Sequence, residues 1–281
     1  KTVWVQAGVI RDELNRHLKQ HNLFFAPETS TANRAMLGGM VGNNSCGSNS
    51  VAYGSTREHL LEVKALLSDA SEVSFKNLTI KQLEEKRQQK DLEGKLYRDI
   101  FEILSDKENQ NEIVKEFPKP SIPRRNTGYA LDLLLQTAPF NSNVEKSDSK
   151  IDNFPDFNFS KLIAGSEGTL AFMTAIKLNL LPLPPKEKAL ICVHFDSVDA
   201  ALRGNLIALK YKPQASELMD KYILDCTKEN KEQAQNRFFV QGDPAAILVI
   251  DLARETPQEL ENAIQNMIEE LKNANLSQHF P

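Results

Sequence analysis

The run Ala35-Met36-Leu37-Gly38-Gly39-Met40-Val41-Gly42-Asn43-Asn44-Ser45-Cys46-Gly47-Ser48 holds the residue types best suited to direct chemistry in this chain of 281 residues. Four of its twelve glycines fall within ten positions, with small polar residues between them. Glycine lets a backbone approach a ligand and turn its N–H groups toward an anion without a side chain in the way. The run is therefore suited to cradling a phosphate-bearing cofactor, although tight turns near a sheet edge draw on the same residues. A P-loop is excluded, because it needs Gly-Lys-Ser/Thr and no lysine occurs between Lys19 and Lys64. A dinucleotide fingerprint comes closer: Gly39 and Gly42 have its spacing and Glu62 stands at the distance of a ribose partner. Leu37 replaces its first glycine, no clear strand leads into the run, and Asn43 to Ser48 is a poor start for a helix.

Four segments in order carry a family resemblance. They are Phe24-Phe25-Ala26-Pro27-Glu28-Thr29, the stretch from Leu37-Gly38-Gly39 to Tyr53-Gly54, Asn126-Thr127-Gly128-Tyr129, and Gly165-Ser166-Glu167-Gly168-Thr169-Leu170. Together they closely resemble the FAD-linked oxidases of the D-lactate dehydrogenase, glycolate oxidase and D-2-hydroxyglutarate dehydrogenase group, which carry a PCMH-type FAD-binding domain. The resemblance implies FAD contacts at Leu37, Gly38, Gly39, Asn43, Ser45, Gly47 and Ser48, with Pro27, Tyr53 and Gly54 flanking them. Ser166, Glu167, Gly168 and Thr169 correspond to the segment that closes over the nucleotide end. The family's usual Gly-Ile-Ile-Thr continuation is Ala171-Phe172-Met173-Thr174 here, a mild departure that leaves a strand expected.

The implied activity is oxidation of a D-2-hydroxy acid of the lactate, glycolate or 2-hydroxyglutarate type to the 2-oxo acid. Its hydride passes to flavin N5, and electrons leave to a quinone, a cytochrome or a fused iron–sulfur module. Arg124 and Arg125 adjoin the third segment, and a guanidinium there could hold a substrate carboxylate in bidentate fashion; two exposed loop arginines are the plainer reading. Tyr129 divides between packing and substrate contact. No residue is identifiable as the general base, and His59 reads as a strand-edge residue. Cys46 reads as a small residue in a tight spot rather than a reactive thiol.

The elements follow from periodicity. Thr2 to Gly8 alternates as a strand, and Ile10, Leu14 and Leu18 mark one face of the next helix. The charged run around Lys81, Glu84, Glu85, Lys86, Arg87, Lys90 and Asp91 reads as a solvated helix face. Leu96 to Leu104 and Ile113 to Phe117 suggest two short helices ended by Pro118, Pro120 and Pro123. The polar stretch 141–160 reads as a mobile insertion. Pro182, Pro184 and Pro185 mark a boundary, after which Ala189–Phe195, Val198–Leu209, Ala245–Leu252 and Pro257–Ala274 read as strand, helix, strand and helix. The expected class is α+β: residues 1–185 form the second lobe of the FAD-binding domain, and 186–281 part of a ferredoxin-like substrate or cap domain. The resemblance places an upstream FAD lobe before Lys1, so the chain reads as an inactive fragment of the enzyme. Its glycine-rich run is expected to be poorly ordered or to hold an anion when the cofactor is absent.

A formal net charge of −4 disfavours a nucleic-acid partner. The three widely spaced cysteines suggest neither a disulfide framework nor a metal site. No apolar run has the length of a transmembrane span. The cytoplasm is the expected compartment, with peripheral attachment to the inner membrane left open. Two alternatives remain: a folded, cofactor-free module, and an FAD-dependent reductase of cell-wall precursor synthesis.

Overall fold

The computed structural model describes residues 1–119, 121–122, 124–125, 128–140, 156–277 and 279–280. Asn126 and Thr127 of the third segment, Pro120 and Pro123, and 141–155 of the expected insertion lie outside the described residues. The chain divides into two compact units, 1–47 with 54–183, and 48–53 with 184–281.

The first unit is built on a four-stranded antiparallel sheet in the order β1-β5-β3-β4. β1 is Thr2–Gln6, β3 Leu60–Leu66, β4 Glu72–Phe75 and β5 Phe172–Asn179. Val5, Val63, Ala65, Val73, Phe75, Ile176 and Leu178 are buried, and their period-two alternation turns one face of the sheet into the core. β2 (Leu23–Phe24) pairs with β6 (Leu181–Pro182), and α1 (Arg11–Leu18) buries Leu14 and Leu18. α2 is Leu37–Gly42 and α4 Thr56–His59, while α3 (Ser50–Tyr53) belongs to the second unit. α5 (Ile80–Arg87), α6 (Leu92–Ser105), α7 (Lys107–Glu116), α8 (Leu131–Leu135) and α9 (Ser160–Ile163) complete the first unit.

Two expectations change here, and one strand is added. Residues 156–160 are core rather than polar surface: Phe157 and Phe159 are buried, and Tyr97 stacks on Phe159 with ring centroids 4.4 Å apart. An aromatic on alternate positions lets both rings enter the core while buried Asn158 donates to the Leu61 carbonyl at 3.0 Å. His59 closes a short helix and is fully buried, because the capping box of Ser55 and Glu58 starts α4 immediately before β3. The short edge strand β4 alternates over only four residues, too few for periodicity to reveal.

In the second unit β7 (Glu187–Phe195), β8 (Ala215–Asp220) and β9 (Ala246–Arg254) form a three-stranded sheet in the order β7-β9-β8. Both outer strands are antiparallel to β9. β7, α10 (Val198–Lys210) and β8 therefore make a split βαβ with β9 between the parallel strands. Alternate β9 residues face opposite ways: Leu248, Ile250 and Leu252 join the cluster with α10 and α13 (Pro257–Asn273), whereas Ile247 packs with Cys192 and Leu224 of α11 (Lys221–Glu229). α12 (Lys231–Ala234) follows α11. Gly204 permits the close approach of α10, since a Cβ there would lie 2.6 Å from Phe195 Cζ.

Ile250 pairs with Ile191 in the middle of this sheet and is fully buried. Ile250→Ala is expected to cost about 2–5 kcal/mol of stability, measured by urea denaturation.

Candidate functional site

The glycine-rich run is less open than its composition suggests. Leu37, Met40 and Val41 are buried on one face of α2, so apolar burial winds the segment into one and a half helical turns. The Leu37 and Gly38 N–H groups at its start donate to the Val9 and Ala7 carbonyls at 2.9 and 2.8 Å. Gly38 is required by that approach, because a Cβ would lie 2.8 Å from Ala7 Cβ. Gly39 is the opposite case: it is exposed, no atom lies within 4 Å of its would-be Cβ, and its N–H has no partner among the described residues.

Beyond α2 the run is held by protein. Asn43, Asn44 and Ser45 N–H groups donate to Gly39, Val41 and Met40 carbonyls, and the exposed Asn43 Nδ2 donates to Ser45 Oγ at 3.0 Å. Ser45 O accepts from Thr56 N–H and Oγ1. A Cβ on Gly47 would sit 2.6 Å from Glu28 Cγ, beside buried Pro27, whose carbonyl accepts from Arg11 Nε. Gly54 has φ +73° and leaves room for the Glu58 carboxylate, which accepts from Ser55 N–H at 2.6 Å. The expectation that this run lacks order without cofactor does not fit such bonding: protein carbonyls already take most of its N–H groups. Ser48 and Tyr53 fall in the second unit.

The fourth segment meets the second directly. Gly165 N–H donates to Val41 O at 3.0 Å and Glu167 N–H to Gly42 O at 2.9 Å. The turn runs through left-handed conformations at Gly165, Glu167 and Gly168, with φ of +86°, +52° and +75°. Ser166 is buried, and Glu167, Gly168 and Thr169 are exposed. Gly168, like Gly39, has nothing within 4 Å of its would-be Cβ. Thr169 Oγ1 donates to Ser166 O, so the exposed Tyr129 hydroxyl, 2.7 Å from Thr169 Oγ1, is the donor of that pair.

The centre of this arrangement is Arg57, three residues beyond the second segment and given no role by the sequence. It is buried; its N–H donates to Asn44 Oδ1 at 2.8 Å, Nε and Nη2 donate to Ala164 O, and Nη2 donates to Gly128 O at 2.7 Å. One residue thus bonds to the second and third segments and to Ala164, just before the fourth. Burial pulls its guanidinium down to about 10 against the opposing pull of Asp132 and Glu58. Lys161, also buried, donates to the Arg57 and Leu60 carbonyls at 2.8 and 3.0 Å. Its signal, an arginine next to an apolar strand, is too common to single out.

The two arginines expected near a substrate part company. Arg125 is ion-paired with Asp132 at 2.6 Å, both largely buried, whereas Arg124 is exposed and its Nε donates to Cys46 Sγ at 3.1 Å. Glu62, the ribose partner of the dinucleotide reading, accepts from Ser74 Oγ and lies 3.7 Å from Lys177 Nζ. In the second unit His194 uses both ring nitrogens: Nε2 accepts from Gln241 N–H, which leaves Nδ1 to donate to Cys192 O. Burial pushes the Cys192 thiol up. Among the described residues no group of three metal-ligating side chains occurs, and no helix is long and apolar enough to cross a membrane.

A mixed helix-and-sheet unit presenting open glycine backbone is of the class suited to an anionic cofactor. Residues 1–76 match the FAD binding domain family, and the chain belongs to the FAD-linked oxidases that contain this domain. It is 34% identical over 228 residues to the D-2-hydroxyglutarate dehydrogenase of Escherichia coli (strain K12), covering 81% of this chain and 20% of that protein. Identity to the Haemophilus influenzae protein of the same name is 37% over 237 residues, with the same coverage. The Bacillus subtilis glycolate oxidase subunit GlcD is 23% identical over 225 residues, 79% of this chain and 33% of that one. The chain thus spans about a fifth of the length of the first two relatives. Among solved structures, alkyldihydroxyacetonephosphate synthase superposes with a TM-score of 0.54 at 12% identity, over 98% of this chain and 39% of that one, a likeness of fold.

Gly165→Ala places a Cβ 2.4 Å from Arg57 Nη2 and 2.8 Å from Gly128 O in a left-handed conformation. It is expected to cost about 2–5 kcal/mol. Gly168→Ala, left-handed but with open space around it, is expected to cost about 1–2 kcal/mol. Urea melts of the two variants read the difference.

Proposed function

We propose that this chain forms one wall of the FAD site of a D-2-hydroxy-acid dehydrogenase. The observation that carries the reading is the pair of hydrogen bonds from Gly165 to Val41 and from Glu167 to Gly42. They set two exposed glycines, Gly39 and Gly168, on adjacent segments of the family's cofactor motifs. The residues fit the group: Gly39 offers a free N–H, neither glycine has a neighbour where a Cβ would be, and Arg57 supplies positive charge beneath. Gly38, Asn43, Ser45 and Gly47 shape the same wall, with Leu37 and Pro27 packed behind it and Gly54 in the connection to α4. Glu167, Gly168 and Thr169 border it, and Ser48 and Tyr53 belong to the same motif run. Bound flavin would supply the hydride-accepting chemistry.

The relatives named D-2-hydroxyglutarate dehydrogenase support a 2-hydroxy dicarboxylate as substrate, at a share of identity that GlcD does not reach. Of the two candidate arginines, Arg124 has the freer head, since Arg125 is committed to Asp132. Tyr129 sits where it can bridge the wall and a substrate through Thr169. The first unit then represents the second lobe of the PCMH-type domain. The second unit, with its split βαβ, represents part of a ferredoxin-like cap. The electron acceptor is a quinone, a cytochrome or a fused iron–sulfur module, in a cytoplasmic enzyme that is free or peripheral to the inner membrane.

The full-length protein is expected to purify with a flavin spectrum that D-2-hydroxyglutarate bleaches without oxygen; a colourless protein with no saturable FAD uptake overturns the reading. Gly39→Asp adds a carboxylate where nothing else is touched. It is expected to leave the melting temperature within a few degrees and to weaken FAD binding at least about tenfold, because like charges repel. Fluorescence titration of the apoprotein measures that loss.

A further inference from the structure

We infer that Arg57 is the positioning residue of the proposed cofactor wall, holding its three backbone segments at their mutual spacing. This rests on the FAD reading for its consequence, but its geometry stands alone. Four hydrogen bonds leave Arg57: its backbone N–H goes to Asn44 Oδ1 beyond α2, and its guanidinium gives three, to Gly128 O before Tyr129 and to Ala164 O before the Gly165 turn. Ala164 O takes both Nε and Nη2, and Gly128 O takes the second bond from Nη2, so the planar fork fixes the angle between these carbonyls as well as their distance. Gly165 is left-handed and lacks a side chain at the point where a Cβ would lie 2.4 Å from Nη2 and 2.8 Å from Gly128 O. The same turn then donates to Val41 and Gly42, the last residues of α2.

Charge points the same way. Arg57 is buried and forms no ion pair within 4 Å among the described residues, its positive charge being met by carbonyl dipoles and by Asp132 and Glu58 at longer range. Nη1 makes no hydrogen bond among the described residues, although the rest of the head is fully used. A cation taken out of water is stabilised by an anion nearby. Arg57 therefore does two things for a diphosphate-bearing ligand: it sets the shape of the wall and supplies a positive field behind it. It touches neither ligand nor reacting atoms directly.

The test uses the full-length protein with Arg57→Lys, which keeps the charge and loses the fork, and Arg57→Met, which keeps the length and loses the charge. FAD affinity of the apoprotein, the bound flavin absorption envelope, and amide exchange at Gly165 and Glu167 without cofactor are measured. Arg57→Lys is expected to weaken FAD binding about tenfold, to alter the flavin envelope, and to speed exchange at those amides about tenfold or more while far-UV circular dichroism stays that of the wild type. Arg57→Met is expected to weaken binding further; should it not fold, Arg57→Lys decides. Wild-type affinity and wild-type amide exchange in Arg57→Lys overturn the inference. So does a loss of affinity accounted for by the unfolded fraction alone. A wild-type protein that takes up no FAD overturns the functional reading instead, and accelerated exchange in Arg57→Lys still supports the positioning role.

Discussion

A single desolvated guanidinium constrains the first unit. It bonds the Gly128 and Ala164 carbonyls while the Arg57 backbone N–H takes the Asn44 carboxamide, and these belong to segments that nothing in the local sequence would bring together. A charge taken out of water destabilises unless its donors find acceptors, so the fold that contains this arginine must deliver those carbonyls to it. The carbonyls in turn dictate the left-handed turn at Gly165, and that turn dictates how the end of α2 is hydrogen-bonded. Lysine would not serve equally, since a point charge lacks the planar fork that reaches two carbonyls at set angles. Lys161 shows the contrast: a lysine buried nearby serves as a local clasp on the Arg57 and Leu60 carbonyls, at the start of one strand.

Glycines in this unit divide by what they make room for. Gly38, Gly47, Gly54 and Gly165 make room for protein, because a Cβ at each would strike Ala7, Glu28, Glu58 or Arg57. Gly39 and Gly168 make room for nothing in the protein. Composition alone treats all of them alike, as a flexible phosphate cradle. The structure separates a scaffold of glycines forced by close protein neighbours from those, Gly8, Gly39, Gly128 and Gly168, that leave backbone open to solvent; Gly128 and Gly168 are also left-handed.

The sequence spoke most clearly where a pattern is local. β1, β7, β9, α10 and α13 follow from alternation or 3.6-residue spacing, with ends shifted by a residue or two. The motif order pointed to the family before any contact was known. What escaped was set by long-range packing. The helix at Leu37–Gly42 contradicts glycine's low propensity, because burial of Leu37, Met40 and Val41 outweighs it. β8 is an edge strand whose residues are mostly partly exposed, so it lacks a clean alternation. Phe157 and Phe159 sit beside a polar stretch that masked their role in the core. Arg125 looked free for a ligand until Asp132 came within 2.6 Å of it. Arg57 could be recognised only once the two distant carbonyls of Gly128 and Ala164 were in view.

The route of the chain has a practical side. Residues 48–53 pack with 184–281, so the backbone passes from one unit to the other after Gly47, returns before Gly54, and passes over again after Leu183. No single cut separates the units intact: cleavage after Leu183 leaves a six-residue graft of one unit inside the other's sequence. During synthesis that graft is made well over a hundred residues before the β-sheet it joins, so the second unit cannot be complete until β8 and β9 have emerged.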